Sequence, residues 1–337
     1  MAEKTTEAKA SRTLLRRLEI FTFWALIAPV VARLPAKLAY GIACRRGDWI
    51  YRAWPEGSAV IERNLRQVFG ETLSPAEVER VSREVVRAGS CEIIDVMRLR
   101  NQTRPLQKLV EIRGREHLEA AMAEGKGALL CSAHFGSYES AFSVIHASGF
   151  PLTEIGHRWW HYLPDVSAVT RRFWDFAHSR RLMRYRQGPN IEPWTDRMSA
   201  MKIVAALRRN EVVAILSDAY PLKEDQARAV KVPFLGREAT FLPGVISLAR
   251  LSKAPILMMF THRSEDHRHQ VLEISPPLSL EGGPETAFAR CAAAMDAAIR
   301  KSPELWHFWS DDTSGLAELG LTPVMAAAPS LGNVPVA

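Results

Sequence analysis

The residues best placed by type and spacing to do chemistry are His134 and Glu139, in the stretch Ala128 to Glu139, ALLCSAHFGSYE. An imidazole oriented by a carboxylate is the basic unit of a general base acting on a hydroxyl. On one continuous helix, residues five apart point to different faces. The pair works only if His134 lies outside the helix that carries Glu139, so that the carboxylate folds back toward the ring. The flanking residues supply that arrangement. Ala128 to Ala133 is an apolar run of strand length, introduced by Gly125 and Gly127 and closed by Gly136. From Ser137 onward, Tyr138, Ala141, Phe142, Val144 and Ile145 repeat with helical spacing. His134 is therefore expected at a strand-to-helix turn, at the carboxyl edge of a sheet where α/β folds place their sites. Gly136 is expected to let the backbone approach a ligand closely. The bland alternative is a surface pair or a satisfied buried histidine.

Other chemistries lack their parts. His157 and His161 stand four apart, which is metal spacing on a helix, but no HExxH glutamate accompanies them. His262, His267 and His269 fall in the charged turn HRSEDHRH and read as solvated. There is no G-x-S-x-G elbow for a serine hydrolase and no phosphate-cradling G-x4-GK-[ST] loop. No metal and no cofactor is expected. Residues 157–188 interleave seven arginines with tryptophan, phenylalanine and tyrosine. Guanidinium groups suit phosphate and tryptophan suits a membrane interface. No nucleic-acid-binding module is recognisable, so no nucleic-acid partner is expected.

The stretch HFGSYE resembles the H-x4-D/E box of glycerolipid-type acyltransferases, and most closely the version found in the lipid A late acyltransferase family. Four further elements follow the family pattern in order. They are Arg63-Asn64-Leu65 with Val68-Phe69-Gly70, Ile215-Leu216-Ser217-Asp218, Val232 to Arg237 with Gly244 and Leu248-Ala249, and Ser302 to Trp309. The chain departs where the family has a second aspartate (Tyr220), a tryptophan in the box (Tyr138), and a closing His-Arg. The resemblance implies transfer of a fatty acyl chain from a thioester, acyl carrier protein or acyl-CoA, to a hydroxyl of a lipid acceptor. His134 would be the base and Glu139 would hold its tautomer, with no acyl-enzyme. It also implies that Arg158 contacts acceptor phosphate or thioester carbonyl. Asp218, at a strand end, reads as a residue that positions the acceptor or shapes the site, or else as a turn or cap; Arg237 reads as a phosphate contact. The acceptor is expected to be a glycolipid of the lipid A precursor type. A phosphatidylinositol mannoside, an ornithine lipid or another lyso-lipid stays open. So does a catalytically silent membrane protein that binds lipid or carrier, which thioester turnover would separate from an enzyme.

Composition adds a surface. The chain has 337 residues, 47% hydrophobic, with net charge +7. Residues 1–66 hold 12 lysines and arginines against 6 acids, so nearly all of the excess is N-terminal. Beside that charge, Ile20 to Ala32 is free of charged residues, with Arg12, Arg16 and Arg17 before it and Arg33 and Lys37 after. Thirteen residues make a helix of roughly 20 Å against a hydrocarbon core of about 30 Å. We read an uncleaved, mostly interfacial anchor, with a short tilted span or a buried helix as alternatives. The family resemblance implies the cytoplasmic face of a bacterial inner membrane. Cys44, Cys91, Cys131 and Cys291 show no paired spacing and read as buried thiols of a reducing compartment.

The expected architecture is α/β, a single domain with a mixed, mostly parallel sheet flanked by helices, preceded by an N-terminal membrane-associated helix. Residues 1–44 form the anchor, 45–313 the acyltransferase domain, and 314–337 a disordered tail rich in Ala, Pro and Gly. Residues 45–127 read as helical, with Ser74-Pro75-Ala76-Glu77 as a capping box. Strands are expected at 152–156, 212–217, 229–232, 255–261 and 271–275, and helices near 196–209, 243–251 and 285–301.

Overall fold

The computed structural model describes residues 26–70, 72–101, 109–155, 190–191, 198–218, 227–264 and 269–310. In chain order the elements are α1 (Ala28–Val31), α2 (Ala36–Ala53), α3 (Pro55–Phe69), α4 (Pro75–Asn101), β1 (Val110–Arg113), α5 (Arg115–Ala123), β2 (Ala128–Ser132), α6 (Tyr138–Ala147), β3 (Leu152–Ile155) and β4 (Asn190–Ile191). They continue as α7 (Ser199–Arg208), β5 (Val212–Leu216), β6 (Val230–Phe234), β7 (Arg237–Phe241), α8 (Gly244–Ser252), β8 (Ile256–Arg263), β9 (Gln270–Ile274) and α9 (Pro284–Lys301). Two 3₁₀ turns, Pro303–Leu305 and His307–Ser310, follow.

Seven strands form one sheet in the order β1-β9-β8-β2-β5-β3-β4. Every pairing is parallel except β8 with β9. A mostly parallel sheet is covered by helices on both faces, so its central strands must be apolar on both sides. β2 meets that condition, with all five residues buried. Leu129 and Cys131 join the cluster beneath α7, α8 and α9, while Ala128 and Leu130 join the cluster beneath α5 and α6. The alternation follows from the two-residue period of a strand.

The strands expected near 128, 152, 212, 256 and 271 and the helices near 199, 244 and 285 are all present. Residues 45–127 are not helical throughout: β1 interrupts them, because Val110-Glu111-Ile112-Arg113 can lie parallel to β9 in register with Gln270 to Glu273. The strand beginning near 229 runs on through Pro233 into a hairpin with β7. Its turn is Leu235-Gly236, both at positive φ, the pair of left-handed residues a tight hairpin turn uses. The capping box at α4 is formed. The Ser74 backbone N–H donates to Glu77 Oε2 at 2.8 Å, and the Glu77 N–H donates to Ser74 Oγ at 3.3 Å.

The boundary placed at residue 44 falls inside α2. Ala39, Tyr40 and Ala43 of that helix are buried with Val31 against Cys91 and Ile94 of α4. Residues 1–25 and the tail from 311 lie outside the described residues, and no described helix is long and apolar enough to cross a membrane.

Candidate active site

The site grows out of the register of two neighbouring parallel strands. β2 and β5 pair so that Ser132 faces Leu216, and the Ser217 N–H donates to the Ser132 carbonyl at 2.8 Å. Two residues further along each strand stand His134 and Asp218. The carboxyl ends of parallel strands thus bring together residues 84 apart in the chain.

Asp218 is fully buried, and its carboxylate accepts three hydrogen bonds. Oδ1 lies 2.7 Å from His134 Nδ1; Oδ2 accepts from the His134 backbone N–H at 2.8 Å and from Trp306 Nε1 at 3.0 Å. Burial alone would raise its pKa, but the His134 ring and these donors outweigh burial and hold the carboxyl below its usual range. An ionised Asp218 requires a proton on His134 Nδ1, which leaves Nε2 with the lone pair. The His134 side chain is 27% exposed, open enough to meet a substrate. Its ring packs edge-on against Phe308 and Tyr138, with centroids 4.6 and 5.6 Å away.

The segment after α9 closes the site. The Gly136 N–H donates to the Leu305 carbonyl and the His307 N–H to the His134 carbonyl, at 2.8 and 2.9 Å, so Phe135 and Trp306 form an antiparallel bridge. Trp306 is buried against Phe234 and Trp309, which fixes the indole N–H on Asp218. On the other side of the turn, Ser137 Oγ donates to Asp95 Oδ2 at 2.6 Å. Asp95, on α4, also receives Tyr40 at 2.7 Å and both terminal nitrogens of Arg263, at 3.1 and 2.7 Å. Burial opposes the charge of Arg263, but Asp95 more than compensates and keeps it cationic. The turn that carries His134 is thereby pinned to α2, α4 and β8.

The residues singled out from the sequence that fall within the described part each have a definite place. The contact on His134 Nδ1 expected of Glu139 is made by Asp218, because the parallel register brings Asp218 to that nitrogen. Glu139 occupies the first turn of α6, half-buried, where its charge is felt by His307. Gly136 has φ +54°, and an added Cβ would come within 2.5 Å of the Thr261 carbonyl oxygen. Its need for glycine is thus set by close packing on β8. It also borders a cavity of about 230 Å³ shared with Ser137, Glu92 and Arg263. Arg237 begins β7 and donates to the Gln67 carbonyl on α3. It lies with Trp306, Phe308 and Trp309 around a small crevice. Arg158 and the arginines at 171–186 lie outside the described residues.

Sequence reasoning misses Trp306, Phe308, Asp95 and Arg263 as supports of the site, and finds Asp218 without its partner. The signal for that partner is present: both residues stand two positions beyond apolar runs of strand length. All four cysteines are free thiols, with Cys44 and Cys91 Sγ atoms 3.8 Å apart between α2 and α4.

A histidine–aspartate pair at the carboxyl edge of a covered, mostly parallel sheet, with the glutamate of H-x4-E on the helix that follows, is the arrangement of a general base acting on a hydroxyl. Residues 8–310 match the bacterial lipid A biosynthesis acyltransferase family, and the chain belongs to it. It is similar to the lipid A biosynthesis acyltransferase of Haemophilus influenzae, 25% identical over 285 residues covering 82% of this chain and 81% of the relative. It is similar also to the lipid A biosynthesis lauroyltransferase of Escherichia coli, 24% identical over 283 residues and 82% and 85% of the two chains. A phosphatidylinositol mannoside acyltransferase of Mycobacterium tuberculosis is 26% identical over 281 residues, 78% and 81% of the two. The protein is an acyltransferase, with an acyl donor and a lipid acceptor as its substrates.

Proposed function

We propose that the enzyme moves a fatty acyl chain from a thioester, acyl carrier protein or acyl-CoA, to a hydroxyl of a lipid A precursor-like glycolipid. The observation that carries the mechanism is the 2.7 Å contact between His134 Nδ1 and the buried Asp218. His134 Nε2 takes the acceptor hydroxyl proton as that oxygen attacks the thioester carbonyl. Asp218 holds the tautomer and stabilises the imidazolium that forms, and Glu139 adds a second negative charge nearby. The tetrahedral intermediate collapses with loss of the C–S bond. The imidazolium returns the proton to the departing sulfur, giving an ester and a free thiol. No side chain needs to carry the acyl group. Cys131, on the strand that leads to His134, is fully buried, and burial raises its pKa far above the working range.

Arg158 and Arg237 are proposed to contact acceptor phosphate, Arg237 from the rim formed with Phe308. The mycobacterial relatives support the second reading, an acceptor of the phosphatidylinositol mannoside type. A location on the cytoplasmic face of the bacterial inner membrane agrees with the apolar exposure of the N-terminal elements. Leu26, Val30, Leu38 and Trp49 are 53–61% exposed. Arg33, Lys37, Arg45 and Arg52 are exposed beside them. Apolar and cationic side chains on one surface suit an anionic lipid interface.

The test is thioester turnover by the full-length protein with each donor and with a lipid A precursor or a phosphatidylinositol mannoside as acceptor. Ester product with one acceptor, lost in His134→Ala, is expected. Turnover by His134→Ala near the parent rate overturns the mechanism. Absence of turnover with every pair favours a lipid- or carrier-binding role.

A further inference from the structure

The 3₁₀ turns after α9 place side chains on alternate sides. Trp306 and Phe308 face Asp218 and His134, while His307 points the other way, toward α4 and α6. There its Nε2 lies 3.0 Å from Glu92 Oε1, and its ring centroid is 5.5 Å from that of Tyr138. Tyr138 in turn touches His134. The His307 backbone N–H donates to the His134 carbonyl, so the two histidines cannot drift apart. We infer that His307, clasped by Glu92, is a positioning residue that holds a positive charge beside the catalytic pair and thereby keeps His134 able to accept a proton. This rests on the general-base reading above.

His134 stands near two carboxylates, Asp218 on its Nδ1 and Glu139 on the helix that begins four residues later. A base that is already protonated takes no proton from a hydroxyl, so the balance of charges around His134 matters to its work. A cation on the far side of Tyr138 offsets part of the carboxylates' field. His307 is suited to supply it. Burial works against its charge, but Glu92 from α4, Asp218 from the end of β5 and Glu139 from α6 together lift its pKa above the ordinary value. Among the described residues these three carboxylates act on it most strongly. Glu92 is the one in hydrogen-bond contact, so it fixes the ring as well as the charge. Two unit charges about 10 Å apart in a partly buried site interact strongly enough to move a titration by on the order of one pH unit.

Two measurements on the full-length enzyme in detergent test this. The pH dependence of kcat/KM reads the first. His307→Gln is expected to move the acid limb upward by about one pH unit, and Glu139→Gln to move it downward, since each removes a charge of opposite sign. A uniform loss of rate with the limb in place, as a purely structural role would give, overturns the inference. The second needs no turnover. NMR titration of carbon-13-labelled histidine rings is expected to show His307 still protonated where exposed histidines have lost their protons. It should also show the His134 ring titrating at higher pH in His307→Gln. A His307 that titrates like an exposed histidine, or an unmoved His134, overturns the inference even if the acyl-transfer reading stands. If the parent enzyme transfers no acyl group, that reading fails while the NMR result still decides this one.

Discussion

Asp218→Asn is the substitution that most sharply tests the geometry. The amide has the shape of the carboxylate but only one acceptor oxygen, against the three donors that Asp218 meets. With its oxygen at the Oδ2 position, the new amide keeps the His134 backbone N–H and Trp306, and presents its NH₂ to His134 Nδ1. Nδ1 must then accept, and the ring proton moves to Nε2, where the substrate needs a lone pair. The opposite rotamer restores the working tautomer but sets an NH₂ against two buried donors. Each unsatisfied donor costs about 1–3 kcal/mol, so the working form lies roughly 2–6 kcal/mol uphill. Loss of the carboxylate charge that stabilises the imidazolium adds to this. At about 1.4 kcal/mol per decade, kcat should fall by roughly 10²–10⁴-fold with KM little changed. The assay is thiol release from the acyl donor under saturating acceptor, with a thermal melt as control. The melt should shift by only several degrees, because two of the three hydrogen bonds survive and the third is reversed in direction. A variant within tenfold of the parent kcat, properly folded, would refute the assignment of Asp218 as the orienting carboxylate.

Glu139→Gln should slow turnover by a smaller factor than Asp218→Asn, because Glu139 contributes charge and not the Nδ1 contact; the two kcat values measured side by side decide it. Gly136→Ala should destabilise the fold by about 2–4 kcal/mol, since the left-handed backbone and the 2.5 Å approach to Thr261 both resist a methyl group, and a denaturant melt reads the loss. Deleting residues 1–25 should release much of the protein from membranes with the fold intact, as judged by sedimentation and circular dichroism. A deletion through residue 37 should instead lower stability, because it removes Val31 and the first turn of α2 from their packing on α4.

Periodicity reveals the sheet because its central strands are apolar runs that length and flanking glycines distinguish from helices. β1 hides among helices because of its short, half-exposed Val-Glu-Ile-Arg pattern, which only pairing with β9 makes a strand. His134 is legible because chain-local signals, a strand end and a helix start, surround it. Chain-local signals pair it with Glu139, five residues away, whereas Asp218 is brought up from 84 residues away by strand register. The same holds for Trp306, whose indole reaches Asp218 across 88 residues. Contacts fixed by tertiary packing leave no local periodicity. Asp95 and Arg263 are similarly silent, each an ordinary charge until the fold sets Asp95 against Ser137 and Arg263 against Asp95.

The docking of Leu305 to Phe308 on the His134 turn has a consequence for how activity arises in time. His134 and Asp218 stand 84 residues apart, and Trp306 stands 88 beyond Asp218, so the site closes only when both long-range pairings have formed. Such long-range pairings form late in folding because the intervening loop must first be ordered. Before Trp306 docks, Asp218 lacks one of its three donors and the His134 ring lacks its Phe308 wall. During refolding, recovery of turnover should therefore coincide with burial of the Trp306 indole and lag the appearance of helix and sheet. The enzyme's catalytic rate then serves as a clock for the final step of its own assembly.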